Sequence, residues 1–170
     1  MGNDALSDEM ERIQLIRRYA DGPATLRLAW DECPPDVRLY RPSPDDWSAR
    51  EIICHCADSE LNAAIRIRML TAEAEPVIIG YDQNEWVRVF DYHDLNPDLA
   101  LAAVEAARAW TVPVLERLAQ SQWAAIGTHS ESGPYSALDW LRTYSVHLHD
   151  HADQIRANVR AWNAREHKDN

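Results

Sequence analysis

The stretch LRTYSVHLHDHADQIRANVRAW, residues 141–162, decides how the chain is read. Leu141, Tyr144, Leu148, Ile155, Val159 and Trp162 recur at the three- and four-residue spacing of an amphipathic helix. His147 and His151 fall on the same stripe. Four residues apart, they stack about 6 Å from one another along the axis. That is close enough for two imidazoles to share one borderline ion such as zinc or nickel. The same spacing also suits two hydrogen-bonded core histidines. His149 belongs to the opposite face and is expected to point outward.

Working outward, this helix opens at Ser136, with Asp139 three residues on, and runs to about Arg165. Upstream, Asn96-Pro97 supplies an N-cap followed by proline at the first helical position. The helix it starts is expected to reach about Gln120, kinked at Pro113. Ser48-Ala49-Arg50-Glu51 reads as a capping box, and its helix should run to about Thr71. The segment from Ser7 to Cys33 is helical in composition, with Gly22-Pro23 expected to bend or interrupt it. Residues 72–95 form a long connection, with a helical turn near Trp86 to Phe90. Val77-Ile78-Ile79 is the one β-like run and is too short to found a sheet. The expected fold is all-α: a four-helix bundle with one long crossover connection. It is read as one domain over residues 1–170, its core at about 7–165.

Composition narrows the function. Asp and Glu number 28 against 17 Lys and Arg, a net charge of −11. This opposes nucleic-acid binding and docking on anionic lipid, both of which need concentrated positive charge. Lys168 is the only lysine, which excludes an internal Schiff-base lysine. Five glycines and no glycine-rich phosphate loop disfavour nucleotide chemistry. No apolar run reaches membrane-spanning length, and the first residues lack the basic and apolar regions of a signal peptide. A cytoplasmic location is therefore expected. Cys33, Cys54 and Cys56 read as reduced, packed thiols.

His55 lies early in the second helix, on a face with Ile52, Ser59 and Ala63 that can turn inward. A third imidazole from this helix would complete a three-histidine centre with an open position, the pattern of a catalytic metal site. Spacing alone leaves an ordinary surface or core histidine equally admissible.

Two motifs together carry a family resemblance. Trp47-Ser48-Ala49-Arg50-Glu51-Ile52-Ile53-Cys54-His55-Cys56-Ala57-Asp58-Ser59-Glu60 resembles the second-helix signature of the DinB-like superfamily. His147-Leu148-His149-Asp150-His151-Ala152-Asp153-Gln154-Ile155 resembles its last-helix motif, HxxxHxxQI. The similarity runs from about residue 20 to 160. It implies an up-down-down-up four-helix bundle, often dimeric, and a divalent metal, zinc or nickel, on His55, His147 and His151. Family members include metal-dependent hydrolases, thiol-dependent isomerases and thiol S-transferases. The isomerases resemble this chain less, because they commonly carry a carboxylate where His147 stands.

The function expected is that of a metal-dependent enzyme. The ion would activate a low-molecular-weight thiol, as in an S-transferase, or a water, as in a hydrolase. The thiol version is favoured by family analogy. A small-molecule substrate and a homodimer are the expected partners. The competing readings are a non-catalytic metal- or ligand-binding stress-response module and a dimeric helical scaffold. Candidates for proton transfer are Asp58, Asp150, Gln154 and His129, the last on a loop before the final helix. Arg66, Tyr81 and Trp86 are candidate substrate-side residues, the latter two in the long connection.

Overall fold

The computed structural model describes residues 2–166. Among them the elements run α1 (Gly2–Glu32), α2 (Ala49–Ala72), β1 (Val77–Ile78), α3 (Gln83–Val89), α4 (Pro97–Leu115), α5 (Gln120–Trp123), β2 (Ile126–His129), β3 (Gly133–Ser136) and α6 (Ala137–Glu166). The long helices begin where local chemistry starts them. Ser48 Oγ accepts the Glu51 amide and Glu51 accepts the Ser48 amide, a complete capping box. Asn96 caps the amides of Asp98 and Leu99. Ser136 and Asp139 exchange the same pair of bonds at the start of α6, at 3.0 and 3.1 Å.

Side-chain pairs give the helix directions. Glu11, Arg18 and Glu32 of α1 meet Arg142, His149 and Arg156 of α6 in the same order, so these helices are parallel. Along α2, His55 meets His151, Ser59 meets His147, and the Ala63 carbonyl accepts from the Trp140 indole, so α2 and α6 are antiparallel. Glu60 and Arg68 meet Arg108 and Trp110, which makes α2 and α4 parallel. The bundle is thus up-down-down-up. Two consecutive parallel helices require a return connection, and residues 73–96 traverse roughly the length of α2, 24 residues or about 36 Å.

Two apolar clusters fill the interior. One gathers Trp30, Ile52, Ile53, Leu101, Val104, Leu148 and Ile155. The other gathers Tyr19, Ile67, Leu70, Leu115, Trp123, Trp140 and Leu141. Within the bundle interior lies a polar group, in which Glu60, Arg108, Ser59 and Thr111 are all buried.

The structure corrects several sequence expectations. A three-stranded sheet does form: Val77 and Ile78 pair in parallel with Thr128 and His129, and β2 pairs antiparallel with β3 from Ile126↔Ser136 to His129↔Gly133. Two-residue β1 is held by its partner and not by its own propensity, which a local reading misses. His129 accordingly ends a strand instead of lying in a loop. The turn closes through Gly133, at φ +78°, a conformation suited to glycine. Helix α4 ends at Leu115 and not near Gln120, because the chain turns to bring Trp123 into the core.

Gly22-Pro23 does not interrupt α1. Pro23 has no amide hydrogen, so the Tyr19 carbonyl one turn earlier lacks its helical donor. Arg108 Nη1 donates to that carbonyl instead. Gly22 permits the approach: a Cβ there would sit 2.7 Å from Arg108 Nη1 and 3.1 Å from Leu148 Cβ. The dipeptide that reads as a helix breaker is a docking place for a buried arginine.

Candidate metal centre

Three imidazoles converge where α2 faces α6. One ligand nitrogen from each of His55, His147 and His151 lies within 4.8 Å of the others. The ring centroids are 5.6 Å apart for His55–His147, 4.9 Å for His55–His151 and 4.6 Å for His147–His151. His147 and His151 share the inward face of α6 through their one-turn spacing. His55 reaches them from the second turn of α2, which the capping box fixes.

Each ring is differently supported. His151 Nδ1 lies 2.9 Å from Gln154 Oε1, so that nitrogen donates and Nε2 keeps its lone pair. His147 Nδ1 lies 3.3 Å from Glu60 Oε1, and its Nε2 lies 3.4 Å from Ser59 Oγ. Glu60 is in turn gripped by Arg108, Nε to Oε2 at 2.8 Å and Nη2 to Oε1 at 2.6 Å. His55 Nε2 is sealed from solvent and has no hydrogen-bond partner among the described residues. The Trp47 indole covers this side, 4.7 Å from His55 and near-parallel to His151 at 6.4 Å.

Electrostatics keep His55 and His151 neutral. Burial, helped by the neighbouring His151 and His147, pushes His55 down to about 2. Burial and His147 push His151 down to about 4, against smaller opposing effects of Gln154 and Glu60. Burial alone would raise the Glu60 carboxyl, but the His147 hydrogen bond and Arg108 hold it below its ordinary value. Three convergent imidazoles, an orphaned buried nitrogen and an ionised supporting carboxylate form a donor set that fits a divalent zinc- or nickel-type ion.

A polar cavity of about 260 Å³ opens beside His147. Its wall includes Ser59, Arg66, Tyr81, His129, Tyr135 and Tyr144. The structure therefore brings Arg66, Tyr81 and His129 together next to the histidines. Trp86 is not in this wall; it packs on Tyr81, with ring centroids 4.2 Å apart, and on Phe90 at 5.7 Å. Asp58 accepts a hydrogen bond from the Tyr92 hydroxyl, tying the crossover to α2. Asp150 is exposed, and its side chain makes no hydrogen bond among the described residues. His149 turns away from the cluster, with Nε2 3.0 Å from the Arg18 carbonyl of α1. Cys33, Cys54 and Cys56 are free and buried.

Glu60, Arg108, Tyr144 and the Trp47 lid escaped the sequence reading as site residues. Arg108 did carry a signal. It interrupts the apolar positions Leu101, Val104, Ala107 and Leu115 of α4, and an arginine there implies a buried carboxylate.

A family model described as DinB superfamily matches residues 18–155. Among similar proteins, one from Oceanobacillus iheyensis is 33% identical over 109 residues, 64% of this chain and 63% of its own. The chain thus spans less than two thirds of that relative. One from Bacillus licheniformis is 28% identical over 163 residues, 92% of this chain and 91% of its own. YfiT of Bacillus subtilis is 29% identical over 154 residues, 89% of this chain and 85% of its own. All three bear the name "Putative metal-dependent hydrolase". The solved structure of YfiT, described as having an unusual four-helix bundle topology, matches with a TM-score of 0.83 at 23% identity. It covers 89% of this chain and 87% of that one, and shows the shared fold. Among the described residues no helix is long and apolar enough to cross a membrane.

Proposed function

The chain belongs to the DinB superfamily, and from that premise we propose that it is a metal-dependent enzyme acting on a small molecule, with His55, His147 and His151 as ligands of one zinc or nickel ion. The observation that carries this reading is the convergence of three imidazole nitrogens within 4.8 Å, one of them buried without a partner. The names of the relatives support it. A divalent ion held by three neutral imidazoles keeps its charge and, with a position open, supplies the Lewis acidity that lowers the pKa of a water or thiol taken up there.

The chain's own residues do the rest. Glu60 and Gln154 hold His147 and His151 in the tautomers that leave Nε2 free. Trp47 shields His55 and His151 from solvent. Ser59, 3.4 Å from His147 Nε2, stands where the cluster meets the cavity and can orient a bound group. His129 is the imidazole of the cavity wall outside the cluster and is placed to carry a proton. Its Nδ1 accepts the Glu131 amide, which leaves Nε2 as the protonated nitrogen. Hydrolysis is the reading that the names of the relatives favour. A low-molecular-weight thiol is the second reading, supported by a cavity large enough for a side arm beside the cluster.

The test is elemental analysis of protein purified without a polyhistidine tag, beside His151→Ala. About one equivalent of zinc or nickel, lost in the variant, is expected. Protein that binds no metal even on reconstitution overturns the reading and leaves a helical scaffold. Bound metal whose cobalt(II) spectrum ignores added azide and thiols indicates a closed, non-catalytic module.

A further inference from the structure

We propose that the cavity beside His147 takes a small molecule bearing a carboxylate, recognised by Arg66 with the hydroxyls of Tyr81 and Tyr144 in support. The proposal deepens the function above and rests on it only in assigning this cavity to the substrate.

Arg66 is half-buried in the cavity wall. Among the described residues no carboxylate pairs with it, although the chain is strongly acidic. It is nonetheless held in place. Its Nη2 donates to the Ile79 carbonyl, its Nη1 to the Tyr144 hydroxyl at 3.3 Å, and it lies 5.6 Å from the Tyr81 ring centroid. A fixed, partly desolvated guanidinium without a counter-ion is a receptor for an external anion, with little left to order on binding.

The hydroxyls complete the receptor. Tyr81 Oη is shut off from solvent, with the Ser59 hydroxyl beside it and no well-formed hydrogen bond among the described residues, so its hydrogen can be turned to a ligand. The Tyr144 oxygen accepts from Arg66, which leaves its own hydrogen to give. One guanidinium flanked by two hydroxyls matches a flat carboxylate with a single negative charge. A phosphate dianion calls for more positive charge or a cradle of amides, and neither lines this cavity. Glu131, exposed at the rim, opposes the anion from outside and supplies an internal control.

The probes are 3-mercaptopropionate and its methyl ester, which share thiol and length and differ in charge. Each is titrated into the cobalt(II)-loaded protein. Calorimetry reads binding of any kind, and the sulfur-to-cobalt absorption band reads sulfur at the ion. The acid is expected to bind about tenfold or more tighter than the ester. Arg66→Gln should erase that difference, Arg66→Lys should keep part of it, and Glu131→Gln should widen it. Equal affinities in the parent protein, a preference that survives Arg66→Gln, or failure of the acid to bind overturns the proposal while the metal reading stands. Failure of cobalt(II) to bind at all overturns the metal reading instead. Tyr81→Phe, which removes only that hydroxyl, should weaken the acid severalfold and leave the ester unchanged.

Discussion

His147 Nδ1 lies 3.3 Å from Oε1 of Glu60, a carboxylate with no exposure to solvent. The contact fixes the imidazole with its other nitrogen turned to the cluster, and it makes that nitrogen a stronger donor. Glu60 remains ionised there because the His147 contact and Arg108, which meets both its oxygens, outweigh its burial. The cluster on α2 and α6 therefore depends on a charge supplied from α4.

Replacing Glu60 by glutamine removes the charge behind His147 while keeping the side chain's size. Zinc affinity is expected to fall about 10- to 100-fold. Competition with a chelating dye measures it, with His147→Ala as the limiting case.

Arg108→Met leaves Glu60 buried without its counter-ion, and a loss of about 3–5 kcal/mol is expected in urea unfolding. Adding Glu60→Gln to that variant removes the stranded charge and should restore much of the stability. It should not restore zinc affinity. A double variant no more stable than Arg108→Met would show that packing, and not charge, sets the cost.

Acid should unsettle the metal-free protein. His55 is held at about 2 and His151 at about 4, burial being the main cause of both. In the unfolded chain both titrate near 6.5, at about the ordinary histidine value. Below that pH the unfolded chain takes up protons that the folded protein refuses, so stability is full above about 6.5 and declines as pH falls toward 4. The urea midpoint of metal-free protein is expected to drop across this window. In His151→Phe the drop should be shallower, since one of the refused protons no longer exists.

Gly22→Ala tests the seat of Arg108. The added methyl would lie 2.7 Å from Nη1 and 3.1 Å from Leu148 Cβ, so Arg108 or α6 must shift. A destabilisation of about 1–3 kcal/mol is expected from overpacking. Ala24→Gly, two residues on and exposed, provides the contrast and should cost about 1 kcal/mol through helix propensity alone.

What the sequence disclosed was local. Ser48 with Glu51, Asn96 with Pro97, and Ser136 with Asp139 announce their helices because the bonds close within three residues. The pairing of His147 with His151 is a matter of helical pitch, and it too was readable. The sheet was not, since Val77 and Ile78 become a strand only by meeting Thr128 and His129 some fifty residues on. Longer separations still, 87 and 89 residues, hid Glu60 behind His147 and the use that Arg108 makes of the carbonyl freed by Pro23. Asp58, a candidate for its one-turn spacing from His55, is taken by the Tyr92 hydroxyl instead.

The return connection between the parallel helices α2 and α4 has a consequence for how such a protein can diversify. Tyr81 and Trp86 lie on it, whereas the three histidines, Glu60 and Arg108 all lie on the bundle helices. Arg66 and Tyr144 of the cavity wall also stand on the helices, so one side of the wall is inherited with the cluster and the Tyr81 side is written in a separate stretch of the gene. Residues 73–96 can be rewritten to admit a different guest while the helices, and the chemistry they hold, are inherited unchanged.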